Sequence, residues 1–136
     1  MHVASAFGSA QQTVTVSPVA PAIFLIGYPA VGAVVNQNNS LNGPASPLPR
    51  GQVLVIYATG LGAVTRQGQL SIAATPVTVM LNGQELPTSY AGLAPGSVGE
   101  YQVNVTIPAN TPPGLSVPLA LKQGGQVSNT VMVALQ

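Results

Sequence analysis

Cysteine, aspartate and tryptophan are all missing from this chain of 136 residues, and its single histidine is His2, beside Met1. Formal charge is confined to Arg50, Arg66 and Lys122 against Glu85 and Glu100. Charged side chains make up 4% of the sequence, where a soluble domain carries about 25%.

Each absence removes a class of function. Without cysteine no disulfide holds the fold, so packing must do so alone. Zinc and iron–sulfur centres need clustered Cys or His, and calcium sites need several carboxylates. General acid–base and nucleophilic catalysis need positioned titratable groups, with a base to activate the nucleophile. Two glutamates and a terminal histidine argue against an enzyme, and no cofactor or metal is expected. Glu85 falls beside a predicted hairpin turn and Glu100 beside a corner, so they do not read as a glycosidase pair. A net charge of +1 without a basic cluster leaves nothing to neutralise phosphates, so nucleic acid is not an expected partner. No apolar run reaches the roughly 18 residues of a membrane-spanning helix. The small-residue pattern at Ala4-Ser5-Ala6 or Gly8-Ser9-Ala10 suits a signal cleavage site, but no apolar stretch precedes it.

What remains is ample apolar material, 46% of the chain, punctuated by 15 Gly and 13 Pro. Between these breakers lie short runs with the period-2 alternation of strands. Val14 and Val16 share a face. Pro21 to Ile26 and Val31 to Val35 are continuous apolar runs. Gln52 to Ala58 has no polar interruption and predicts a central strand covered on both faces. Asn82-Gly83 predicts a type I′ hairpin pairing Leu81 with Gln84 and Val79 with Leu86, with Pro87 confining the second strand to an edge. Along Tyr101 to Ile107 the odd positions are apolar and the even positions polar, which turns Tyr101, Val103, Val105 and Ile107 to the core. Val117, Leu119 and Leu121 alternate up to a second hairpin turn at Gly124-Gly125, and Val131, Val133 and Leu135 alternate after it. The pattern predicts an all-β fold, an Ig-like antiparallel β-sandwich of about 7–9 strands. Gly99 to Val103 resembles the tyrosine-corner strand of such domains, with Val103 in the place of a cysteine.

The succession Ala20-Pro-Ala-Ile-Phe24, Asn39 to Pro47, Arg50-Gly51 and Tyr57-Ala-Thr-Gly-Leu-Gly62 carries a family likeness. It continues through Pro76-Val-Thr-Val79, the Asn82-Gly83 turn, Tyr90 to Gly96, Gly99 to Pro108, Gly125 and Ser128-Asn129. The chain resembles the C-terminal β-sandwich domain of secreted proteins from Solibacter and other acidobacteria, over about residues 16–136. The resemblance implies an extracytoplasmic module, secreted or at the cell surface, and brings no catalytic residues. The family's charged Asp-Gly stretch is replaced here by Ala63 to Gly68, which has no carboxylate.

Several motifs have plain structural readings. Tyr57 to Gly62 lacks the lysine and following helix of a phosphate loop, and predicts a strand ending in a tight turn. Arg50 is expected to bond carbonyls of the loop from Asn36 to Pro49. Phe24, Tyr57 and Tyr101 are expected to be buried, leaving no aromatic cluster for a sugar. The uncharged arm of residues 1–12 precedes a single domain spanning 13–136. It is a candidate donor strand, with Val3, Ala4, Ala6 and Phe7 as its assembly interface. With few charges available to guard its sheet edges, the protein is expected to partner copies of itself in a surface fibre or matrix. A binding module for a protein or polysaccharide, and a sorting or anchoring domain of a larger secreted protein, are the alternatives.

Overall fold

A computed structural model describes residues 19–27, 31–67, 70–94 and 100–136. Among these there is no helix, and the chain forms antiparallel sheets throughout. In the larger sheet β1 (Ala22–Ile23) lies beside β5 (Val53–Thr59), followed by β11 (Tyr101–Thr106), β10 (Tyr90–Leu93), β7 (Leu70–Ala73) and β6 (Val64–Gln67). The same edge of β5 also pairs with β4 (Val34–Asn36). The smaller sheet runs β13 (Gln126–Val127), β12 (Gly114–Gln123), β8 (Val77–Leu81), β9 (Gln84–Pro87), with β14 (Val131–Leu135) also on β12. A separate pair, β2 (Leu25–Ile26) and β3 (Val31–Gly32), forms a short hairpin.

The alternation read from the sequence builds the core. Leu54, Ile56 and Ala58 of β5 and Val103 and Val105 of β11 belong to one buried cluster. Val77, Val79 and Leu81 of β8 and Leu119 and Leu121 of β12 join it from the smaller sheet. Two sheets that share one apolar core make a β-sandwich, and each large aliphatic side chain so buried contributes roughly 1.5–3 kcal/mol.

The β8–β9 hairpin has the predicted register, Leu81 opposite Gln84 and Val79 opposite Leu86. Asn82 and Gly83 both have positive φ, 51° and 84°, as a type I′ turn requires. Pro87 lies on β9, the edge of its sheet. Gly124-Gly125 likewise turns β12 into β13.

Three expectations are corrected. Strand β5 is central, but only alternate residues are buried; Val53, Val55, Tyr57 and Thr59 on its other face are half-covered. The strands among the described residues number fourteen because the runs Pro21–Ile26 and Val31–Val35 each break in two, β13 and β14 are separate, and a β6–β7 hairpin forms where none was read. The Tyr101 hydroxyl donates to the Gly62 carbonyl at 2.7 Å, in the loop after β5, whereas a tyrosine corner bonds a carbonyl a few residues upstream.

The chain crosses between the sheets three times, and two of the crossings are linked, from β7 to β8 and from β9 back to β10. Thr88 Oγ1 donates to the Val77 carbonyl at 2.9 Å, linking the two crossings. The buried Gln123 amide donates to the carbonyls of Leu61 and Thr75 at 2.8 and 3.0 Å, which pins the first crossing to the end of β12.

Candidate functional site

The arm of residues 1–12, with Val3, Ala4, Ala6 and Phe7, lies outside the described residues, as do the predicted strand at 13–16, Tyr28 and the loop 95–99. The site is therefore built from the sheet edges and exposed surfaces of the described residues.

Among the described residues the edges at β9, β14, β1 and β4 are covered, mostly without charge. Because the two-residue turn makes Leu81–Gln84 a hydrogen-bonded pair, the alternation of the ladder turns the main-chain groups of Glu85 and Pro87 outward from β9. Pro87 has no N–H to offer an added strand. Glu85 is held at the same edge by Lys122 at 3.7 Å and by the Thr78 hydroxyl at 2.8 Å. On β14 the Ala134 N–H donates to Asn42 Oδ1 at 2.7 Å, and the Ala134 carbonyl accepts from Asn42 Nδ2 and from the Leu48 N–H, both at 2.9 Å. On β1 the Ile23 N–H donates to Asn129 Oδ1 at 2.7 Å, and the Ile23 carbonyl accepts from Asn129 Nδ2 at 3.2 Å. The β4 edge is occupied by the loop after it, with the Asn36 N–H on Ser40 O and the Asn42 N–H on Val34 O. The last edge, β6, carries Arg66. With few charges available, asparagine amides and proline do at these edges what lysine does elsewhere.

Arg50 is structural, but on other carbonyls than expected. It donates from Nη1 to Thr111 O at 2.9 Å and from Nε to Gln136 O at 3.2 Å.

The exposed feature that stands apart is the β2–β3 hairpin. At Tyr57 the edge of the larger sheet divides: Tyr57 N–H donates to Ala33 O, Ala33 N–H to Phe24 O, and Phe24 N–H to Tyr57 O. Beyond that junction β2 and β3 leave the sheet together. Gly32 rests directly on the side chain of Val131, where an added Cβ would come within 2.8 Å. Four large apolar side chains around the hairpin are nevertheless exposed, Phe24, Leu25, Ile26 and Val31 at 37%, 54%, 41% and 44%. Leu25 stands opposite Gly32 and Ile26 opposite Val31, so Leu25 lies on the Val131 side and Ile26 with Val31 on the other. Three consecutive large apolar residues in water are unusual for a monomer's surface and mark an interaction site. Phe24, expected in the core, belongs to this patch.

Two concavities accompany it. A groove of about 550 Å³ lies at the corner where the chain changes sheets, lined by Ile72, Ala73, Pro76, Pro87, Tyr90 and Ala91 among others. A polar hollow of about 420 Å³ is lined by Asn36, Ser40, Ser46 and Gln52. Its amides are committed to the loop itself, with Asn36 Nδ2 on Ser46 O and Ser40 Oγ, and Asn42 Nδ2 on Asn36 Oδ1. No group of three His, Cys, Asp or Glu residues able to hold a metal occurs among the described residues, and no helix among them is long and apolar enough to cross a membrane.

Neither the protein-family models, the curated proteins nor the solved structures compared with the chain match it.

Proposed function

We propose that this protein is a non-catalytic structural module of the extracytoplasmic space that associates with copies of itself, through the exposed apolar side chains of the β2–β3 hairpin. The observation that carries the reading is the exposed run Phe24-Leu25-Ile26 with Val31 beside it. The acidobacterial resemblance supports the location, and the scarcity of charge supports association, because little electrostatic repulsion keeps copies apart.

The test is sedimentation of the full chain over a wide concentration range, with Leu25→Ser/Ile26→Ser and with residues 1–12 deleted. Burial of a Leu or Ile side chain contributes roughly 1.5–3 kcal/mol, so the double variant should dissociate at least about tenfold more readily. It should keep the parent's circular dichroism and melting temperature, since both side chains face water in the monomer. Loss of association on removing residues 1–12 instead would move the contact to the arm. A chain that stays monomeric at every concentration refutes self-association. Capture of a different protein by the same side chains would then identify the module as a binder.

A further inference from the structure

An asparagine side chain can be attacked by the main-chain nitrogen of the residue that follows it, and glycine in that place offers no side chain to obstruct the approach. Two asparagines precede glycine in this chain, Asn42 and Asn82, and the fold treats them in opposite ways.

Asn42 is locked. It is 6% exposed, its Nδ2 donates to Asn36 Oδ1 at 2.8 Å and to Ala134 O at 2.9 Å, and its Oδ1 accepts from the Ala134 N–H at 2.7 Å. The Gly43 N–H is engaged as well, on Ser46 O at 3.4 Å. For Gly43 N to reach Asn42 Cγ, the amide must leave all three partners. The exposed Asn39 is restrained differently, because the nitrogen that would attack it belongs to Ser40, whose N–H donates to Asn38 Oδ1 at 3.0 Å.

Asn82-Gly83 has none of these restraints. Both residues are exposed at the tip of the β8–β9 hairpin. Among the described residues the Asn82 side chain makes no hydrogen bond and the Gly83 N–H meets no acceptor. Asn82 donates its own N–H to Pro118 O at 2.9 Å, a bond that leaves the peptide after Asn82 free to rotate. A Cβ at Gly83 would meet nothing within 4 Å, so no neighbouring group hinders that rotation. The turn itself, with φ of 51° and 84°, must open for attack, and exposed tips open at far lower free energy than buried elements.

We infer that Asn82 is a site of spontaneous modification, where the hairpin turn converts to aspartate and isoaspartate while Asn42 is preserved. A hydroxide ion takes the Gly83 amide proton. The Gly83 nitrogen then bonds to Asn82 Cγ, the Cγ–Nδ2 bond breaks, and Nδ2 leaves as ammonia with a proton from water, which restores the hydroxide. Water opens the resulting cyclic imide. Cleavage between Cγ and the Gly83 nitrogen gives aspartate, and cleavage at the main-chain carbonyl carbon gives isoaspartate. No electrons are transferred. Either product places a carboxylate at the hairpin tip and takes the formal net charge from +1 to zero. The inference is independent of the self-association proposed above.

The test is peptide mapping by mass spectrometry of the full chain aged in mildly alkaline buffer, native and in urea, with fragmentation that distinguishes isoaspartate from aspartate. In the native protein Asn82 should react at least about tenfold faster than Asn42, whose three side-chain hydrogen bonds must first break. In urea both become the same dipeptide in an open chain, and the two rates should converge. Equal rates in the native protein, or a faster Asn42, overturn the inference. A ratio that persists in urea also overturns it, since the neighbouring sequence rather than the fold would then set the difference. So does an Asn82 that reacts in urea but stays intact in the native protein, because the turn would then protect it.

Discussion

The Ala134 N–H and carbonyl, on the outer side of β14, meet the side-chain amide of Asn42 across 92 residues of sequence. An amide side chain presents one acceptor and two donors, so it can stand in for the peptide group of a neighbouring strand, and Asn129 does the same for Ile23. The geometry is specific to asparagine. Asn42 is 6% exposed and uses both Nδ2 protons, on Asn36 Oδ1 and on Ala134 O. Asn42→Ala leaves these groups unpaired in a dry place and should lower stability by about 1–3 kcal/mol. Asn42→Asp should cost more, because it turns a carboxylate oxygen toward two oxygen atoms that had been accepting hydrogen bonds. Urea denaturation of the two variants checks both magnitude and order; an aspartate variant as stable as the parent would show that the amide does not cap the strand.

At the scale of elements, the β8–β9 hairpin shows how strongly a local signal can bind register. An added Cβ at Gly83 meets nothing within 4 Å, yet its φ is +84°. Gly83→Ala therefore probes conformation alone, and should destabilise the fold by roughly 1 kcal/mol, read as a lowered melting temperature, without changing the pairing of Val79 with Leu86. Cross-strand nuclear Overhauser contacts would reveal a shift of register if the turn were the whole determinant. The register of the β8–β9 hairpin and the inward faces of β11 and β12 were legible because period-2 alternation and two-residue turns are written within a few residues of one another. Pro21 to Ile26 was not legible in the same way. A short continuous apolar run is compatible with a strand buried on both faces, and nothing local says that such a run leaves its sheet at Phe24. That departure is decided by Tyr57, which bonds Phe24 and Ala33 together, and by the fit of Gly32 to Val131, both long-range facts. The same holds for Asn42 and Asn129, whose partners are about a hundred residues distant, and so for the sheet edges they close. The hairpin as a candidate site was hidden for this reason: its residues were read as core.

At the scale of the whole molecule, scarcity of charge bears on the proposed association, because the described fold is built almost without it. The core is assembled from aliphatic side chains, and the edges are closed by amides, a proline and the loop after β4. Glu85 with Lys122, and Arg66, are the charges that edge strands and their neighbours carry. The exposed apolar residues of the hairpin, to which contact is assigned, include none. Association driven by burial of apolar surface should respond to solvent differently from association driven by ion pairs. Exposed charges beyond about 8 Å are already screened at physiological salt, so raising sodium chloride should leave the association constant nearly unchanged if no charge pair crosses the interface. Sulfate is excluded from protein surface and strengthens effective burial, so replacing chloride by sulfate at equal ionic strength should tighten it. Cooling should weaken it, because hydrophobic stabilisation fades as temperature falls. Sedimentation velocity along the three series separates the cases. Dissociation on adding sodium chloride would place Lys122, Glu85 or an arginine in the contact and remove the hairpin from it, whereas indifference to chloride with tightening in sulfate is the behaviour of two uncharged surfaces that meet because neither has another way to leave water.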